Sequence, residues 1–259
     1  MALAKSTKNV AGQNTAKNLS VGYPIADRCS IIRDMKGDFF HILNRGVEKR
    51  NIFLNKEDYL RFAYNLYDFN NQDNTIMSFH KRRNLDTRLV ARKPDKESNK
   101  KKLVDILCWC LMPNHYHILV QEKIDKGASM FSKKISSGYT QYFNLKNKRS
   151  GVLFQGKSKI ISIKKEDHFI YLPYYIFSNP VKLIEKNWKE NGIKDLKKVE
   201  KFLESYTWSS YLNILGRDDL MFIINKKLFT ELFIPNQGSF KKHFTNWLVG
   251  YRIADQIAD

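Results

Sequence analysis

The run Met112-Pro113-Asn114-His115-Tyr116-His117-Ile118-Leu119-Val120 carries two imidazoles one residue apart in a stretch that reads as a β-strand, with a Pro-Asn turn just before it. Alternate side chains of a strand share a face, so His115 and His117 point one way and Tyr116 the other. Such a pair can clamp a metal ion, although the same spacing also describes two polar residues on a solvated strand face. Two imidazoles alone make a weak site, so a third ligand and a reactive group have to come from elsewhere. The aromatic segment Phe169-Ile170-Tyr171-Leu172-Pro173-Tyr174-Tyr175-Ile176-Phe177-Ser178-Asn179-Pro180 supplies both. It reads as a helix disturbed at Pro173 and ending or kinking near Pro180. Tyr175 and Asn179 are four apart, on one helical face, one turn from each other. Among the tyrosines of this segment only Tyr175 has an amide at that spacing: Tyr171 leads to Tyr175, and Tyr174 leads to Ser178. An amide oxygen beside two imidazoles suits Mg²⁺ or Mn²⁺ and leaves coordination positions for a phosphate oxygen. A phenol is a poor nucleophile until a metal or base helps remove its proton. What it offers is a covalent phosphotyrosine link, which conserves the energy of a broken phosphodiester so that a strand can be rejoined.

The elements that must position these groups follow from the hydrophobic pattern. Phe39-Phe40-His41-Ile42-Leu43 reads as a buried strand closed by Arg45-Gly46, with His41 read as structural and, as the alternative, placed near the metal or the DNA. Asn55 reads as a helix N-cap, and Tyr59, Phe62, Ala63, Leu66 and Phe69 recur at helical spacing after it. Leu103 to Met112 is a second strand, joined through Pro113-Asn114 to the His-x-His strand as a hairpin. A helix from about Asp125 puts Ala128, Phe131, Ile135, Tyr139 and Tyr142 on one face, weakened a little by Gly138. Val152 to Lys165 reads as a fourth strand. Strand, helix, strand, strand, helix, strand predicts an α+β, ferredoxin-like antiparallel sheet with helices on one face and the other face free for a ligand. The segment carrying Tyr175 adds a further helix, and residues 187–259 a helical extension.

Composition bounds the function. The chain has 259 residues, 42% of them hydrophobic, and a formal net charge of +19. That charge asks for a polyanionic partner, and nucleic acid leads. No apolar run approaches the roughly 18 residues of a spanning helix, so no membrane role is expected. Residues 1–35 read as a disordered basic tail, and residues 70–102 as a long charged loop inserted in the 36–186 domain. Cys108 and Cys110 read as buried thiols, which together with the lack of a disulfide framework points to a reducing, cytoplasmic setting. A zinc knuckle of Cys-x-Cys and His-x-His lacks the usual ligand spacing. Arg45, Lys133, Lys134, Lys146, Lys148, Arg149, Lys157 and Lys159 read as a phosphate-binding surface flanking the site, with binding that weakens steeply as salt rises.

Four motifs in order resemble a known family. Phe40-His41-Ile42-Leu43-Asn44-Arg45-Gly46, the Met112–Leu119 run, Tyr139-Thr140-Gln141-Tyr142-Phe143-Asn144 with Gly151-Val152-Leu153-Phe154-Gln155-Gly156, and Tyr175-Ile176-Phe177-Ser178-Asn179-Pro180-Val181 are similar to the successive signatures of the one-tyrosine HUH transposases. Within that group, the Asn-Pro after the tyrosine and Trp208-Ser209-Ser210-Tyr211 resemble the REP-associated tyrosine transposase branch. The resemblance covers about residues 38–216. It implies a metal-dependent endonuclease and strand transferase acting on single-stranded DNA, often a hairpin. His115 and His117 would bind the metal with Asn179 completing its shell, and Tyr175 would form a 5′-phosphotyrosine and free a 3′-OH. Two departures stand out: Phe177 occupies a position where the family often has His, and Pro173 interrupts the helix of the nucleophile. Rival readings are a non-catalytic or domesticated nucleic-acid-binding protein on the same fold, and a zinc hydrolase, which lacks a carboxylate base near the pair. A homodimer is compatible with the sequence, though no dimer seam is evident in it.

Overall fold

Period-two alternation in the strands and apolar faces on the helices produce a mixed α+β architecture. The computed structural model describes residues 37–73, 101–234 and 238–250. The expected tail and nearly all of the expected charged loop lie outside them. Strand β1 (Phe39–Arg45), helix α1 (Lys56–Asp68), strands β2 (Val104–Met112) and β3 (His115–Glu122), helix α2 (Gly127–Lys146) and strand β4 (Lys159–Ser162) follow in the expected order. The sheet runs β2-β3-β1-β4, and every neighbouring pair is antiparallel. The Asn55 carboxamide caps α1 by accepting from the Asp58 N–H at 3.2 Å, as the sequence predicts. Gly138 has a packing reason: a Cβ there would run into the Phe69 ring, so its absence lets the end of α1 close on α2.

Helices α1 and α2 cover one face of the sheet. Tyr116, fully buried, points into that layer, packs at a tilt against Phe62 and bonds the Ser136 and Ser158 hydroxyls at 3.1 Å. Beyond β4 comes helix α3 (Glu166–Ser178), which runs through Pro173 and passes into a 3-10 turn (Asn179–Leu183) with Pro180 at its start. Short helices α4 (Trp188–Asn191), α5 (Leu196–Leu203) and α6 (Tyr211–Ile214) precede α7 (Lys226–Phe233) and α8 (Phe240–Gly250).

Three expectations need correction. The second sheet face is not free over β2 and β3: α3, the 3-10 turn and α7 lie on β2, α3 also meets β3, and every residue of β2 is buried. Among the described residues its β1–β4 side stays accessible, where Leu43 is half-buried and Lys159 and Ile161 are exposed. The fourth strand is four residues long, because Gly151 and the bends at Gln155–Lys157 leave residues 152–158 as a loop joined to β1 through the Gly46–Phe154 bridge. Finally, α3 is not broken at Pro173. A proline removes one backbone donor, yet this helix is held from both sides by packing, which carries it across the gap.

That outer support comes from the extension. Phe177 is fully buried against Tyr211, Phe229, Phe240 and Phe244, and Tyr174 stacks on Phe240, Phe244 and Trp247. Phe177 thus faces away from the histidines, which accounts for an aromatic hydrocarbon at that position. The free edge of β2 is closed by the segment 206–210: the Leu111 N–H donates to the Trp208 carbonyl at 2.8 Å, the Ser210 N–H to the Trp109 carbonyl at 3.0 Å, and the Tyr206 hydroxyl to the Leu111 carbonyl at 2.6 Å. Phe177→Ala should cost about 3–5 kcal/mol in urea denaturation by opening a cavity between α3 and α7/α8. A loss below about 1 kcal/mol would mean that the extension does not brace α3.

Candidate active site

The β1–β3 register sets Arg45 opposite His115 and Leu43 opposite His117, so Arg45, His41, His115 and His117 lie on one face. Helix α3 crosses that face and brings Tyr175 with it. The Tyr175 ring stands edge-on to His117 (centroids 5.5 Å, 90°) and to His41 (6.2 Å, 80°). His115 and His117 are 5.1 Å apart and nearly perpendicular. One turn beyond Tyr175, Asn179 donates from Nδ2 to the Tyr175 carbonyl at 2.8 Å, and its side chain lies beside the His115 ring. The four residues that the sequence singled out for chemistry therefore converge.

The hydrogen bonds also define which atoms are available. Asn114 donates from Nδ2 to the Lys49 carbonyl at 3.1 Å, which turns its Oδ1 toward His115 Nδ1 at 2.6 Å. An amide oxygen only accepts, so His115 carries its proton on Nδ1 and leaves Nε2 as a lone pair. Asn179, with Nδ2 committed to the helix carbonyl, keeps Oδ1 as an acceptor. His117 Nδ1 meets His41 Nε2 at 2.9 Å in a buried hydrogen bond whose direction depends on the tautomer.

Electrostatics around the pair are one-sided. Burial, then Arg45 and Lys182, hold His115 down to about 4. Burial, then His41, His115, Arg45 and Lys189, hold His117 well below the usual imidazole range. His41 is pushed down to about 3, by burial and then by His168. The Lys189 ammonium also sits 4.5 Å over the Tyr175 ring. Among the described residues no group of three or more His, Cys, Asp or Glu is arranged to hold a metal ion. Any ion here would rest on two neutral imidazoles and an amide oxygen, a nitrogen and oxygen set that brings no negative charge. Such a set fits a divalent cation that keeps its full charge for a phosphate.

Most of the expected basic surface lies elsewhere. Arg45 is at the site, and Lys159 sits on the same sheet face opposite Leu43, with Lys157 exposed just before it. Lys133, Lys134 and Lys146 are on α2, in the layer on the other side of the sheet, with Lys148 and Arg149 in the turn that follows. Three of these five have structural partners. Lys134 Nζ caps the Asn71 and Asp73 carbonyls at 2.6 and 3.1 Å, Lys146 pairs with fully buried Asp58 at 2.8 Å, and Arg149 braces its turn through Asn144 Oδ1 at 2.6 Å and the Val152 carbonyl at 3.0 Å. The flanking surface assigned to these side chains is therefore not assembled around the histidines. Missed in the sequence were Lys182, Lys189 and the Asn114 contact with His115, none of which carries a periodic signal, whereas His41, whose alternative reading put it near the site, does lie against His117. Cys108 and Cys110 are both buried, and among the described residues no group of three or more His, Cys, Asp or Glu is arranged to hold a metal, so a knuckle with the histidines is not supported.

No protein-family model matches the chain, and no curated protein matches it. A solved structure of a REP-associated tyrosine transposase bound to a REP hairpin shares 16% identity with it, covering 71% of this chain and 83% of that one with a TM-score of 0.40. At that level of likeness, function has to be argued from the site itself. No helix among the described residues is long and apolar enough to cross a membrane.

Two outcomes follow from this geometry. Lys146→Met should lower stability by about 2–3 kcal/mol in urea, because buried Asp58 loses its cation, while leaving nucleic-acid affinity within about twofold; a large affinity loss with unchanged stability would return Lys146 to the binding surface. The histidines give a pH dependence. Unfolded imidazoles take protons near 6.5, whereas the folded ones resist until about 4 or below. Stability of the metal-free protein is therefore full above pH 6.5 and falls as the pH drops from there toward 4, by up to about 1.4 kcal/mol per pH unit for each such histidine. Thermal unfolding in EDTA between pH 7.5 and 5 should show this, with a shallower slope in His41→Gln; a flat profile would mean that these rings are not buried neutral.

Proposed function

We propose that this protein is a metal-assisted, single-strand DNA endonuclease and strand transferase, a transposase of the one-tyrosine HUH kind, with Tyr175 as nucleophile and hairpin DNA as substrate. The observation that carries the reading is the placing of the Tyr175 ring edge-on to His117, one turn from the Asn179 amide that lies beside His115, with Arg45, Lys182 and Lys189 as the charged neighbours. A hydrolase using water would want a carboxylate base, whereas this constellation offers a phenol and cations.

His115 Nε2, His117 and Asn179 Oδ1 would hold Mg²⁺ or Mn²⁺, which when bound polarises the scissile phosphate and offsets charge in the transition state. Arg45, Lys182 and Lys189 orient the phosphate by attracting its oxygens. Tyr175 Oη attacks phosphorus, the bond from phosphorus to the 3′ oxygen breaks, and the phenolic proton is balanced by the one the leaving 3′ oxygen acquires. One phosphodiester is exchanged for another, so the reverse attack by a 3′-OH rejoins strands without an energy source. Lys157 and Lys159, exposed on the β1–β4 side, would track the strand leaving the site.

Cleavage of labelled hairpin DNA with Mg²⁺ or Mn²⁺ tests this. Wild type should form a covalent protein–DNA adduct that survives denaturing electrophoresis. Tyr175→Phe should form none while binding the same DNA within about threefold, and His115→Ala should lose at least about 100-fold in rate. An adduct from Tyr175→Phe would identify another nucleophile. Tight binding with no cutting of any hairpin would favour a binding module on the same fold.

A further inference from the structure

The hydrogen bond between His41 Nε2 and His117 Nδ1 is buried, 2.9 Å long, and joins rings lying only 22° from parallel. Two neutral imidazoles can share one proton in such a bond in two ways. Either His117 Nδ1–H donates and His117 Nε2 is bare, or His41 Nε2–H donates and His117 carries its proton on Nε2. Reading His117 as a metal ligand requires the first arrangement, because only there is its remaining ring nitrogen bare. The neighbouring His115 has already been fixed in the corresponding state, Nδ1–H on Asn114 Oδ1, by an amide oxygen that can only accept.

We infer that His41 is a positioning residue, which accepts the His117 Nδ1 proton and so presents His117 Nε2 as a bare ligand atom beside that of His115. This rests on reading His117 as a metal ligand, and it adds what that reading lacks, a reason for the correct tautomer. An outer partner that fixes ring orientation and proton position commonly changes metal affinity by about 10–100-fold. His41 is suited to the role because strand β1 holds it rigidly: its ring is buried, and its backbone is paired on both sides, with Leu119 of β3 and Ile161 of β4.

The test separates the tautomer from the metal. Long-range ¹H–¹⁵N correlation spectra of the full chain, ¹⁵N-labelled at histidine and kept in EDTA, should show His117 protonated at Nδ1 and bare at Nε2. A His117 protonated at Nε2 overturns the inference. Mn²⁺ titration followed by electron paramagnetic resonance should then find affinity about 10–100-fold weaker in His41→Phe and largely recovered in His41→Gln, whose Oε1 restores an acceptor. A folded His41→Phe with unchanged Mn²⁺ affinity also overturns it, and because the tautomer is read in wild type, a variant that fails to fold does not protect the claim. Wild type with the expected tautomer but no Mn²⁺ binding would uphold the role of His41 in setting the proton and sink the metal-site reading instead.

Discussion

Everything at the candidate site depends on one pairing, the antiparallel register of β1 on β3. It places Arg45 opposite His115 and Leu43 opposite His117, and with them puts His41 on the same face. A slip of one residue would send His41 and Arg45 into the layer of α1 and α2 and bring Ile42 and Asn44 to the histidines. The slip is blocked from the other side: Ile42 is fully buried, and Asn44 Nδ2 donates to the Gly156 carbonyl at 3.1 Å and the Ser158 hydroxyl at 3.2 Å. The alternation that fills the core is thus the same one that builds the site.

The second requirement is that a helix be laid across this face at a fixed height. The sheet holds α3 from below, where Phe169 meets Phe39 at 4.6 Å, and the extension holds it from above through Tyr174 and Phe177. A helix pinned on two sides can carry Pro173 without breaking, because tertiary packing outweighs the missing backbone bond. Tyr175 and Asn179, on the narrow stripe between these contacts, are then aimed at the histidines. The extension belongs to the site mechanically, and through Lys189 at its start it also contributes a cation beside Tyr175.

Local rules made the site largely readable and left its surroundings hidden. His115, His117, Tyr175 and Asn179 were legible because two-residue alternation in a strand and four-residue spacing in a helix fix which side chains share a face. The sheet order followed from the element sequence. What failed was anything that depended on which layer a segment joins. The basic residues of α2 and its following turn are near the motifs in sequence yet sit across the sheet from them, and Lys134, Lys146 and Arg149 have partners that no periodicity reveals. Lys182 and Lys189 reached the site because the 3-10 turn bends the chain back over it, and such a bend has no pattern in composition. The accessible sheet face was overestimated for the same reason: the apolar run of β2 signalled burial on both sides, but not what would cover it.

The charge balance narrows the chemistry further. Carboxylate ligands would neutralise a bound cation and would serve as bases for water. The groups acting on His115 and His117 are instead basic or imidazole. On the proposed chemistry this is a coherent set, since a phenol that leaves its proton with the departing oxygen has no need of a resident base, and a cation undiminished by its ligands acts more strongly on phosphate. It also carries a cost: the same three cations repel a metal ion. The site would therefore hold its ion weakly until the phosphate arrives, because the phosphate supplies the negative charge that both the metal and the lysines lack. Substrate and metal would then bind as mutually reinforcing partners, and the orientation of the imidazoles matters all the more because they are the only nitrogen ligands on which the ion can rest.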